Sequence, residues 1–288
     1  MERTAPAIRR YELPVAGAAA ESLFRRGWLP DEPRATVVLV HGFAEHSGRY
    51  EHVGRWLAAR GYAVHAYDHL GHGRSSGRRC HVDRFDQYLD DLALVFDTVR
   101  EETPPHPHLL IGHSMGGLVV ASFVLERRPD VAGVVLSGAA LALPEGRTRI
   151  QMRLARGIRA VMPRLAIASG LDLEGLASDP KVLEAYLADP LVERKLTVSL
   201  ASELTAAIER TAPGAGDFAP PLLALHGADD TLTAPSGSER FAAAAPRGRF
   251  RLYPGLRHEI FNEPGYEEVL GDVVSFFDEV ARGAARAT

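Results

Sequence analysis

The chain has 288 residues, 46% of them hydrophobic and 24% charged, with 33 basic and 37 acidic side chains giving a net charge of −4. That balance excludes the strongly basic surface of a nucleic-acid binder and suits a globular domain with a sizeable core. A single cysteine excludes an intrachain disulfide. No apolar run approaches the roughly 18 residues a membrane span needs.

In chain order, "AIRRYELP" and "ESLFRRGWLP" read as an antiparallel edge hairpin. The TVVLV run ahead of His41 is continuous and β-branched, as expected for a strand buried on both faces. Residues 62–67, 108–112, 131–138 and 222–227 read the same way, and 249–255 reads as a last strand. Helical stretches lie between them at 49–61, 85–102, 115–130 and 266–283. Strands alternating with helices predict an α/β fold with a mostly parallel central sheet flanked by helices. From 141 to 213 the alternation stops and no strand is expected. This stretch reads as an inserted helical cap, leaving 1–140 and 214–288 as one core domain. The N-terminus lacks a secretory apolar region, so a cytoplasmic protein is expected.

The stretch "GHSMGG" (112–117) places Ser114 between Gly112 and Gly116, after a buried strand and before a helix. This is the G-x-S-x-G context of a nucleophile elbow, with an N-cap serine as the plain alternative. A serine needs a base. His258 is the only histidine beyond the late strand 222–227. Asp229 and Asp230 both follow that strand, and Asp230 is preferred as the residue that orients His258. The backbone amides of Met115, after the serine, and Phe43, after the first parallel strand, are the expected oxyanion donors. His41, His46, His69 and His72 lack metal-ligand spacing, so no metal is expected. His41 is read instead as a brace for the oxyanion loop.

Taken together, "HGFAEHSGRY" (41–50), "YDHLGHGRSSG" (67–77), "GHSMGG", "LHGADDTLT" (225–233), "YPGLRHEIFNEP" (253–264) and the cap stretch "EAYLADPL" (184–191) resemble the monoacylglycerol lipases of the α/β-hydrolase superfamily. The resemblance implies an α/β-hydrolase fold with a cap and a catalytic triad of Ser114, Asp230 and His258. It implies no cofactor and a small lipid ester substrate. It also implies that Glu45, Arg49, His113 and Tyr186 hold the glycerol head. Phe43 departs from several relatives, which carry a small residue there. The basic cap arginines Arg147, Arg149, Arg153, Arg156, Arg159 and Arg164 read as a solvated helix face, or as a transient contact with an anionic lipid surface that would make the protein peripheral at membranes. A broad carboxylesterase or lysophospholipase, another chemistry on the same fold, and a non-catalytic scaffold are the alternatives.

Overall fold

The computed structural model describes residues 8–18, 21–104, 106–142 and 158–285. The strands are β1 (Ile8–Ala16), β2 (Ser22–Pro30), β3 (Ala35–Val40), β4 (Tyr62–Tyr67), β5 (His108–His113), β6 (Gly133–Ser137), β7 (Ala166–Ala168), β8 (Lys195–Thr197), β9 (Leu222–Gly227) and β10 (Gly248–Tyr253). Eight of them form one sheet in the order β1-β2-β4-β3-β5-β6-β9-β10. β1 and β2 form the expected edge hairpin, and β2 runs antiparallel to β4. Every other neighbouring pair is parallel. The helices are α1 (Glu51–Ala58), α2 (Asp86–Glu102), α3 (Met115–Arg127), α4 (Pro180–Ala188), α5 (Val198–Thr211), α6 (Pro235–Ala244) and α7 (Tyr266–Ala285).

The strand sequences account for the layering. Side chains alternate between faces, so a strand covered on both sides carries a near-continuous apolar run. Val38, Val40, Leu110, Val134, Leu136 and Leu222 face one side, where they pack with α2 and α3. Val37, Leu39, Leu109, Ile111, Val135 and Leu225 face the other, against α1 and α7. Consecutive residues of β3, β5 and β6 thus feed two cores.

Between β6 and β9 the chain leaves the sheet. The expectation of no strand between 141 and 213 is corrected here: β7 and β8 pair antiparallel, with Ala166 opposite Thr197. Three residues per strand are too few to show a two-residue period, which hid them in the sequence. α4 begins with Pro180 after Asp179, whose carboxylate accepts from the Lys181 amide at 2.9 Å. α5 is capped by the Thr197 hydroxyl, and its Leu200 and Ala207 share the core cluster of α3. Most of the arginine-rich stretch, with Arg147, Arg149, Arg153 and Arg156, lies outside the described residues. Among the described residues, no helix is long and apolar enough to cross a membrane.

Candidate active site

In mostly parallel sheets the functional residues gather where the strands end at their carboxyl edge. Ser114 sits there, between the last residue of β5 and the first of α3, with φ 53° and ψ −117°. A non-glycine residue at this φ is strained by about 1–3 kcal/mol and persists only where its surroundings fix it. Here the Ser114 amide donates to Ser137 O at 2.9 Å, and its carbonyl accepts from Ala140 N at 3.0 Å. The flanking glycines follow from close packing. A Cβ on Gly116 would lie 2.3 Å from the carbonyl oxygens of Val40 and His41, and one on Gly112 would lie 2.5 Å from Gly116 O.

His258 follows β10 in a loop and is buried. Its Nδ1 is 2.7 Å from Asp230 Oδ2. Asp230 is saturated with donors: the amides of Leu232 and Thr233 on Oδ1, and the Thr233 hydroxyl on Oδ2. Its carboxyl pKa is held well below the usual carboxylate range. Burial alone would raise its pKa, but the two histidines beside it, His258 and His226, outweigh that cost. Burial likewise would lower the His258 pKa, and the charge and hydrogen bond of Asp230 reverse the shift to a raised value. Asp229, the other sequence candidate, is exposed, and its amide donates to Leu256 O.

Ser114 and His258 line one cavity of about 70 Å³ together with Gly42, Phe43, Glu45 and His113. A larger groove of about 1290 Å³ lies at the opposite end of the strands and is lined by no serine. Among the described residues the Phe43 and Met115 amides have no protein acceptor, as expected at the free first turn of a helix for Met115. The loop carrying Phe43 is braced from behind by His41. The His41 Nε2 accepts from the His69 amide at 2.9 Å, so its Nδ1 carries the proton and donates to Gly42 O at 2.7 Å. Burial pushes the His41 pKa well below 6.5, and it pushes those of His69 and His72 to about 3 and about 4. Among the described residues no cluster of potential metal ligands is present.

A family model described as serine aminopeptidase, S33, matches residues 31–265. The chain is 35% identical to a monoacylglycerol lipase of Mycolicibacterium smegmatis, over 93% of this chain and 96% of that one. It is 32% identical to a phospholipase of Bacillus subtilis, over 88% of this chain and 98% of that one. The crystal structure of the Paleococcus ferrophilus monoacylglycerol lipase superposes with a TM-score of 0.77 at 29% identity, covering 96% of this chain and 99% of that one. The chain belongs to the monoacylglycerol lipase family of α/β-hydrolases.

In this hydrolase residues 175–193 are stitched to the loops that line the cavity, and Leu176 and Tyr186 join its lining. His46 Nε2 lies 2.9 Å from Asp189 Oδ2, and the Glu193 amide donates to Ala44 O at 2.8 Å. The amides of His258 and Glu259 donate to Gly175 O and Leu176 O, and Ser178 donates to Glu263. The same stitches fix the loop that carries His258.

Beside Ser114 stands a buried ionic cluster. Glu45 accepts from the Gly42 amide at 2.6 Å, from the Tyr50 hydroxyl at 2.7 Å and from Arg49 at 3.1 Å. Arg49 makes a two-pronged bond to Glu259 at 2.5 and 2.8 Å and stacks 4.8 Å from the centre of the Tyr186 ring. Burial raises the Glu45 pKa, opposed by Arg49. Burial, reinforced by His258, drives that of His113 well below 6.5, so its ring is neutral. Of the head-group candidates, Glu45, His113 and Tyr186 line the cavity, whereas Arg49 lies outside its lining. Sequence reasoning missed two residues of this site. One is Glu259, whose signal was its place directly after His258. The other is His226, a polar residue inside an otherwise apolar strand.

Proposed function

We propose that this hydrolase cleaves monoacylglycerols to a fatty acid and glycerol, with Ser114 as nucleophile, His258 as base and Asp230 as the group that orients the base. The observation that carries the reading is the 2.7 Å contact of His258 Nδ1 with Asp230, with His258 and the strained Ser114 on one cavity walled by Glu45 and Tyr186.

With Nδ1 committed to Asp230, His258 Nε2 takes the Ser114 proton as Oγ bonds to the ester carbonyl. The amides of Phe43 and Met115 receive the oxyanion, aided by the positive end of α3. The intermediate collapses, the bond to the glycerol oxygen breaks, and His258 returns the proton to that oxygen. Water then attacks the acyl-enzyme by the same route, and the fatty acid leaves. No cofactor enters either step.

Glu45, Arg49, His113 and Tyr186 form the end that holds the glycerol, Arg49 acting through the carboxylates it fixes. Leu171, Leu176 and Leu232 supply the apolar lining for the acyl chain. Residues 141–213 serve as the cap. Ile158, Val161, Met162 and Leu165 are exposed there beside Arg159 and Arg164, which supports a transient contact with a lipid surface by an otherwise cytoplasmic enzyme.

The likeness to a phospholipase favours a second reading, a lysophospholipase on the same triad. Hydrolysis of a panel decides between them: monoacylglycerols of several lengths, a diacylglycerol, a triacylglycerol, a lysophospholipid and an aryl ester, with Ser114→Ala as blank. Preference for monoacylglycerol is expected. Preference for the lysophospholipid or the aryl ester would overturn the proposal.

A further inference from the structure

We infer that Glu259, together with Glu45, makes the head-group end of the cavity exclude anionic head groups, so that esters of uncharged or cationic alcohols enter and their phosphate-bearing counterparts do not. This rests on the assignment of that cavity as the ester site and adds a charge rule to it.

Both carboxylates line the cavity and both are only 3% exposed. Among the described residues no lysine or arginine lines it. The nearby guanidinium, Arg49, lies outside the lining, and its charge is shared by two carboxylates: Nη1 bonds Glu45 and Glu259, and Nη2 bonds Glu259. His113 is neutral, and His258 must be neutral to act as base. With Glu45 ionised, the cluster carries one net negative charge. With Glu45 protonated it is neutral. In neither state does a phosphate find a free cation.

The hydrogen-bond inventory points the same way. Among the described residues, one oxygen of each carboxylate has a single donor, Arg49 on both: Oε2 of Glu45 and Oε1 of Glu259. The other oxygens are doubly used, by Gly42 and Tyr50 on Glu45 and by Arg49 and Asn262 on Glu259. The spare positions are acceptors, which a hydroxyl or ammonium satisfies by donating. A phosphate monoester near neutral pH brings a charge of roughly −1.5 to −2 and oxygens that mostly accept. With Glu45 ionised it would meet like charge in a poorly screened site, where repulsion is strongest, and with Glu45 protonated it would meet a neutral cluster that supplies acceptors rather than a cation.

The test uses the full chain turning over an aryl butyrate, with three non-hydrolysable competitors of equal alkyl length: a 1-alkylglycerol, its 3-phosphate, and the analogue with a 3-amino group. In the wild type the phosphate should bind at least tenfold more weakly than the alkylglycerol, a gap of about 1.4 kcal/mol, while the amine binds at least as well as the alkylglycerol. In Glu259→Gln, which keeps the size of the side chain, the phosphate penalty should shrink at least threefold. The wild-type ranking stands as a test even if that variant folds poorly. Equal binding of the phosphate, or rejection of the amine as strong as that of the phosphate, would overturn the inference, the latter because size rather than charge would then decide. A wild type that ranks the competitors as expected but fails to cleave monoacylglycerol would overturn the substrate proposal and leave the charge rule standing.

Discussion

His226 and His258 share one oxygen: Asp230 Oδ2 lies 2.9 Å from His226 Nε2 and 2.7 Å from His258 Nδ1. His226 is fully buried in β9, and its Nδ1 is 2.8 Å from the Ser238 hydroxyl. A neutral His226 that accepts from Ser238 must donate to Asp230. It therefore fixes the carboxylate that in turn fixes His258. His226→Ala should cost about 1.5–3 kcal/mol of stability, the range for a hydrogen bond to a charged group, read by urea unfolding. It should also raise the midpoint of the acid limb of kcat/KM, because Asp230 then serves one imidazole. His226→Gln, which retains a donor, should restore part of both. An unshifted pH profile in His226→Ala would leave the residue a purely structural role.

Replacing Asp230 with Asn should lower kcat by about 10⁴, since the amide no longer stabilises the imidazolium or selects its tautomer. The fold should survive, because Oδ1 can still accept from the Leu232 and Thr233 amides. Circular dichroism and steady-state kinetics together separate loss of chemistry from loss of structure.

The pH dependence has a definite sign. As the proposed base, His258 works only when neutral, and its pKa lies above the ordinary 6.5. So kcat/KM should fall as pH drops through a midpoint above 6.5. Stability follows the same pair. The raised His258 pKa contributes stability in full below 6.5, and this is lost as pH rises through the folded value. The depressed Asp230 pKa contributes above 3.8, and this is lost only as pH falls through its much lower folded value. The contribution is greatest between 3.8 and 6.5, and comparing the pH–stability curves of wild type and Asp230→Asn checks it.

Ser114→Gly should abolish turnover yet stabilise the protein by about 1–3 kcal/mol, because glycine adopts φ 53° without strain. Ser114→Ala should abolish turnover without that gain. Thermal melts of the two variants side by side measure the strain stored at the turn.

Arg49→Met should cost about 3–5 kcal/mol, because it leaves Glu45 and Glu259 buried without their shared cation. Chemical denaturation reads this directly.

What could be read in the sequence depended on how local the signal was. β3, β5 and β6 carry the apolar runs Val37–Val40, Leu109–Ile111 and Val134–Leu136 because they face two cores, so those runs announced a sheet flanked on both sides. The turn at Ser114 announced itself through Gly112 and Gly116. Asp230 could be preferred over Asp229, and the chain packs the former while exposing the latter. β7 and β8 were illegible because each is three residues long and β7 is exposed. α6 was missed because its Ala-rich run follows "TLTAPSGS" with little periodic patterning. Glu259 was missed for a different reason: its partner Arg49 is 210 residues away, and no local pattern encodes such a pairing.

By the proposed route, cleavage of a monoacylglycerol passes through an acyl-serine at Ser114. The most direct measurement is rapid acid quench of the enzyme turning over a monoacylglycerol, followed by mass spectrometry of the intact protein and its peptides. A mass increase equal to the acyl group is expected, mapped to Ser114 and absent in Ser114→Ala, which should also be inactive. Unimpaired turnover by Ser114→Ala, or an acyl group mapped to another residue, would contradict it.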